Sequence, residues 1–109
     1  MDEYNKLGHE KCSKMILDRL GDNPIYVTFD LDCLDPTVAP GVANIESAFR
    51  GFNMDEARKL LQSLKGRNVI GGDVACLMPT KDSPNNITSM VAAAVMFEII
   101  CLISVNLKK

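Results

Sequence analysis

The 109 residues contain no C-x-x-C pair, a single histidine, no marked excess of either charge and no internal repeat or low-complexity run. Each absence excludes something. Lys+Arg 12 against Asp+Glu 14 leaves a net charge of −2, without the basic excess of a nucleic-acid binder. A disordered acidic tail is excluded too, because 47% of the residues are hydrophobic and can form a core. Cys12, Cys33, Cys76 and Cys101 are scattered, and Met1 to Lys6 has no apolar signal-peptide core. The expected setting is therefore reducing and cytoplasmic, with a mitochondrial one open for a longer form. No Ser/Gly linker divides the chain, so residues 1–109 read as one continuous set of elements.

One run could be taken for a membrane span. Ile87 to Val105 approaches the ~20 apolar residues a bilayer requires, but it carries Glu98. A helix buried against a sheet, with no membrane partner, is the expectation.

The rest alternates between helix and strand periods. Leu7, Cys12, Met15, Ile16 and Leu20 recur at helical spacing before Gly21 and Asp22-Asn23-Pro24, which predicts a helix from about Asn5 to Leu20. Ile25 to Asp30 is β-branched and aromatic, a strand ending in an acid. Leu31 to Asn53 is a long connection punctuated by Pro and Gly, of the kind more often functional than idle. Asn53 with Glu56 forms an N-cap pattern, and Ala57, Leu60, Leu61 and Leu64 give the following helix one apolar face. Asn68 to Val74 reads as a second strand whose paired glycines permit a bulge or a close backbone approach. Pro79 and Asp82-Ser83-Pro84 break the chain before the last helix.

This order predicts an α/β fold: a βαβ unit with parallel strands, adjacent and covered by helices in three layers. Two strands leave both edges open, so the pattern reads as part of a larger parallel sheet.

The chemistry is concentrated in Thr28-Phe29-Asp30-Leu31-Asp32-Cys33-Leu34-Asp35-Pro36. Residues two apart on a strand share a side, so Asp30 and Asp32 can aim both carboxylates at one point where open α/β folds place ligands. Paired hard oxygens suit Mg²⁺, Mn²⁺ or Ca²⁺. The plainer reading is that these acids cap turns, and Asp35, directly before a proline, fits it best.

Tyr26 through Pro36, followed by Ala39-Pro40-Gly41, resembles the ureohydrolase (arginase/agmatinase) pattern of Ser-Phe-Asp-x-Asp, x-x-Asp-Pro and Ala-Pro-Gly. Gly72-Asp73-Val74 and Pro79 resemble that family's Asp-Val-Val-Glu-x-x-Pro segment, and the final helix its last helix. The resemblance covers the chain to about Leu102 and implies the C-terminal portion of a parallel-sheet αβα fold of the arginase type. It also implies a binuclear Mn²⁺ centre with Asp30 and Asp32 among its ligands, and hydrolysis of a small guanidino substrate, agmatine-like, to urea and an amine.

The departures are specific. The Gly-Gly-Asp-His and Asp-Ala-His-x-Asp segments that carry the family's other ligands are absent, and the single histidine, His9, reads as an exposed helix residue. Where the family has a glutamate that can pair with the guanidinium, this chain has Cys76, which cannot supply a bidentate acceptor. Asp73 reads equally as a group behind the ligands or a loop cap. Cys33 reads as a buried, inert cysteine. Thr28 keeps the hydroxyl of the usual serine, and Gly41 to Asn53 lacks the usual Pro-Glu-Pro-Gly-Gly character. No residue is assigned a catalytic role.

Two alternatives stand beside this. A haloacid-dehalogenase-like phosphotransferase would use Asp30 and Asp32 as nucleophile and acid, but has no place for the Ala-Pro-Gly loop. A non-catalytic chain would use its uncovered apolar surface to associate with itself or with a longer relative.

Overall fold

The computed structural model describes residues 1–45 and 49–108. Its elements are helices α1 (Asp2–Leu7) and α2 (His9–Leu20), strand β1 (Ile25–Asp30), helix α3 (Met54–Gln62), strand β2 (Val69–Ala75) and helix α4 (Ile87–Leu107). Single 3₁₀ turns lie at Leu31–Cys33 and Pro79–Lys81. Residues 46–48, inside the long connection, fall outside the described residues.

β1 and β2 pair in parallel, as the pattern predicts, with Thr28 opposite Asp73 and Asp30 opposite Ala75. The register slips between Ile25↔Val69 and Tyr26↔Gly71, leaving Ile70 as the extra residue. Both properties expected of the paired glycines are present. The bulge sits beside Gly71, and at Gly72 a Cβ would lie 2.6 Å from Ile99 Cγ2 of α4 and 2.8 Å from the Val27 carbonyl oxygen. Gly72 thus lets α4 pack directly onto the strand.

The core lies on one face of the sheet. Phe29, Leu31 and Leu34 meet Ala57 and Leu61 of α3 and Val91, Val95 and Ile99 of α4. A second cluster joins Ile25, Leu64, Val69 and Leu102, with Leu17 and Leu20 of α2 against it. The opposite face, where Tyr26 is 60% exposed, carries no helix among the described residues. Within this length the layers therefore number two, in a slab whose Cα extents are 41 × 32 × 18 Å.

Local chemistry sets the element ends. Asn53 and Glu56 form the expected capping box, with Glu56 N donating to Asn53 Oδ1 at 2.8 Å and Asn53 N to Glu56 Oε1 at 3.0 Å. The first helix differs from expectation. Gly8, at φ 86, breaks it in two, its N–H bonding the Tyr4 carbonyl at 2.8 Å, while Tyr4 packs edge-on against Phe52. Of the apolar face expected for that helix, Met15 and Ile16 are exposed, and the inward stripe is Ser13, Leu17 and Leu20.

α4 is long and apolar enough to cross a membrane by length and composition. Here one stripe, Thr88, Val91, Val95, Ile99 and Leu102, is buried, while its outer face leaves Met90, Phe97 and Ile100 exposed. Glu98 faces α3, within 3.3 Å of Arg58 Nε and bonded by Gln62. Asn106 ties the far end to Asn68 and to the Val69 carbonyl, both at 3.0 Å.

Candidate metal centre

Asp30 is the last residue of β1 and Asp32 lies in the 3₁₀ turn that follows. Strand alternation is not what brings them together. Asp30 caps the turn, its Oδ1 accepting the Asp32 N–H at 3.1 Å, and Leu31 between them is 0% exposed in the core. Burying Leu31 turns both acids the other way, half-exposed at the carboxyl end of the sheet.

A third group joins them. One ligand atom each from Asp30, Asp32 and Cys76 lies within 4.8 Å of the others. Cys76 immediately follows β2, at φ 74, with its sulfur close to the Asp30 carboxylate. Hydrogen bonding toward Asp30, then partial withdrawal from water and the charges of Asp30 and Asp32, pushes the Cys76 thiol up. For Asp30 partial burial pushes the carboxyl up, but the Asp32 N–H, the Cys76 thiol and the Asp32 side chain together outweigh it, leaving Asp30 below its ordinary value.

Two loops carry this arrangement and are fastened to each other. Phe52 N bonds the Cys33 carbonyl at 3.0 Å and Asp35 N bonds the Phe52 carbonyl at 2.9 Å, so the acidic turn is stitched to the segment entering α3. Gly51 makes that approach possible, since a Cβ there would stand 2.6 Å from Asp35 N and from the Leu34 carbonyl carbon. Asp35 takes the turn role, its Oδ1 accepting from Thr37 N at 3.0 Å and Thr37 Oγ1 at 2.7 Å. Gly41 of the Ala-Pro-Gly segment donates to Thr88 Oγ1 at 2.8 Å, and its carbonyl accepts from Met78 N at 2.8 Å.

Asp82 holds the far side. It accepts from Ser83 N at 2.9 Å, Thr88 N at 3.0 Å, and Ser89 N and Oγ at 3.0 and 3.2 Å, capping α4 from outside the helix. Some desolvation pushes its carboxyl up, but these donors more than reverse it and hold it well below the carboxylate range.

The remaining candidates are distributed differently from expectation. His9 is half-buried rather than exposed, 3.4 Å from Ser13 Oγ, and is not among the residues gathered with the acids. Asp73 caps no loop: it lies within β2, where Tyr26 OH donates to it at 2.9 Å and its other oxygen, Oδ1, is buried without a partner. Cys33 packs against the core, and burial, then the charges of Asp30 and Asp32, push its thiol up to about 11. Cys76 is the thiol at the acids, and sequence reasoning, occupied with the glutamate it lacks, did not assign it there.

The two carboxylates fit a hard divalent cation such as Mn²⁺. The thiol is softer than that cation favours.

Comparison with known proteins bears on the family and the fold. The arginase-family model matches residues 1–102. An agmatinase from Photorhabdus laumondii is 36% identical over 101 residues, which are 93% of this chain and 32% of that protein. Proclavaminate amidino hydrolase from Streptomyces clavuligerus superposes with a TM-score of 0.89 at 30% identity, over 96% of this chain and 34% of that one. A hypothetical agmatinase from Burkholderia thailandensis gives 0.82 at 34% identity, over 91% and 30%. The chain thus spans about a third of the length of the relatives it matches. These matches do not favour the phosphotransferase alternative.

Proposed function

The chain belongs to the arginase family, and from that premise we propose that it is the C-terminal part of a manganese-dependent ureohydrolase hydrolysing a small guanidino compound, agmatine-like, to urea and an amine. The observation that carries this is the convergence of Asp30 and Asp32 at the carboxyl end of β1, on a turn that holds both half-exposed. Agmatine as the model substrate comes from the agmatinases among its relatives.

In this reading Asp30 and Asp32 hold manganese, which when bound supplies activated water and positive charge opposite the developing negative charge. The chain's own residues hold the acids in place. Leu31 and Leu34 anchor the turn from below, Gly51 and Phe52 clamp it from the side, and Asp82 and Thr88 fix the neighbouring loop. Asp73, on the face that no described helix covers, keeps one oxygen without a partner.

The 109-residue chain alone is expected to be inactive. Two carboxylates recruit a cation weakly, and fixing two manganese ions needs further His and Asp groups. His9 stands apart from the acids and no second histidine exists. The setting is cytoplasmic, with no nucleic-acid or membrane partner, and the exposed apolar residues Tyr26, Ile70 and Phe97 favour association with another copy or with a longer relative. The test is urea release from agmatine, arginine, guanidinobutyrate and guanidinopropionate with Mn²⁺, beside Asp30→Ala. No turnover is expected. Turnover that disappears in Asp30→Ala would overturn the inactivity and show that the missing ligands come from a second chain or from other groups of this one.

A further inference from the structure

We propose that Cys76 is itself a metal ligand, making the cation site at the strand ends a two-carboxylate, one-thiolate set that takes Zn²⁺ in preference to Mn²⁺. This rests on the preceding reading for Asp30 and Asp32 as ligands and departs from it in the metal.

Geometry supports it first. The three ligand atoms already lie within 4.8 Å of one another. A tetrahedron built on Zn–O and Zn–S bonds of about 2.1 and 2.3 Å has edges of roughly 3.4–3.6 Å. Closing the set therefore needs movements of no more than about an ångström, along side chains that are half-exposed or exposed. The groups come from the ends of two strands, Asp30 closing β1, Asp32 just after it and Cys76 just after β2, and pairing of Asp30 with Ala75 sets their separation.

The chemistry of the pair supports it next. The Cys76 sulfur and a carboxylate oxygen of Asp30 already stand within 4.8 Å of each other, without a metal to draw them together. Binding breaks the S–H bond, forms an S–Zn bond and releases the proton to the buffer, with no change of oxidation state. Thiolate favours Zn²⁺ over Mn²⁺ both by softness and by the general affinity order of divalent ions, whereas a glutamate at the same place would leave an all-oxygen set suited to Mn²⁺. Cys33, the other thiol beside the acids, is directed into the core and does not compete.

The experiment uses the 109-residue chain, with Zn²⁺ and Mn²⁺ titrated by calorimetry and Co²⁺ added as an optical probe of thiolate coordination. The expected result is a sulfur-to-cobalt charge-transfer band and tighter binding of Zn²⁺ than of Mn²⁺. Cys76→Ser should abolish the band and weaken Zn²⁺ by at least about tenfold, leaving Mn²⁺ binding unchanged, while Cys33→Ala should change neither. Cys76→Glu, a second variant at the same position, should shift the preference toward Mn²⁺. A band that survives Cys76→Ser, or equal affinity for the two ions, overturns the proposal. Asp30→Asn and Asp32→Asn separate the two levels. If they abolish binding while Cys76→Ser leaves the Zn²⁺ affinity unchanged, the carboxylate site stands and the thiolate falls; if they leave binding unchanged, both fall.

Discussion

Replacing Gly51 by Ala tests how the acidic turn is held. The added Cβ would stand 2.6 Å from Asp35 N, 2.6 Å from the Leu34 carbonyl carbon and 2.7 Å from the Cys33 carbonyl oxygen, all backbone atoms that cannot rotate away. The two segments must therefore separate, which breaks the Phe52 N–Cys33 and Asp35 N–Phe52 hydrogen bonds. At about 0.5–1.5 kcal/mol net for each bond the loss is ~1–3 kcal/mol. Stiffening of the unfolded chain offsets ~0.4–1 kcal/mol only where the native backbone accommodates Ala without strain. With backbone clashes ruling that offset out, a net destabilisation of about 1–3 kcal/mol should lower a urea midpoint by roughly 0.5–1.5 M. Circular dichroism would follow the transition, and cation binding should weaken in parallel because Asp32 rides on the displaced turn. Gly66 is the comparison: its φ is 87 and a Cβ there would meet nothing within 4 Å, so Gly66→Asn carries backbone strain alone and should leave cation binding unchanged, while Gly51→Asn should not. An unchanged midpoint and unchanged cation affinity in Gly51→Ala would refute the clamp.

Other expectations concern α4 and its cap. Ile99, 1% exposed against Gly72, should cost ~2–5 kcal/mol on truncation to Ala. Phe97→Ala and Ile100→Ala, at 65% and 55% exposed, should each stay within about 0.5 kcal/mol in urea unfolding; the reverse ranking would mean that α4 packs through its other face. The depressed Asp82 carboxyl stabilises the fold above its unfolded-state pKa of ~3.9, and the contribution is lost as pH falls through the lower folded value. Acid unfolding of the native chain should therefore steepen below about pH 4, and Asp82→Asn should flatten that part of the profile; identical profiles would show that the cap is not ionic. With Glu98 paired to Arg58 and α4 packed on the sheet, the expressed chain should partition with soluble rather than membrane fractions, and integration into membranes would contradict that packing.

Much of this fold was legible because its signals are local. The strand Ile25–Asp30 stands out by its β-branched run, and Asn53 with Glu56 announces the start of α3 three residues apart. The break at Gly8 was hidden, because apolar residues recur on both sides of it and only a positive φ ends the helix. Met15 and Ile16 keep a helical period yet stay exposed, since α2 meets its neighbours along a narrower stripe than the period suggests. At the site, Asp30 and Asp32 were readable from their spacing, although a capped turn rather than strand alternation unites them. Cys76 reaches them only through β1–β2 pairing, a contact distant in sequence. Asp82 caps α4 from six residues before Thr88, outside the usual N-cap spacing, so no local pattern marks it.

The most direct measurement is the number of Mn²⁺ ions bound by the 109-residue chain, read by equilibrium dialysis or by the loss of free Mn²⁺ paramagnetic signal, in the native chain and in Asp30→Asn and Asp32→Asn. One weakly held ion per chain, lost in either variant, is the result expected of a site whose remaining ligands lie elsewhere. Two tightly held ions, or binding indifferent to both substitutions, would contradict it.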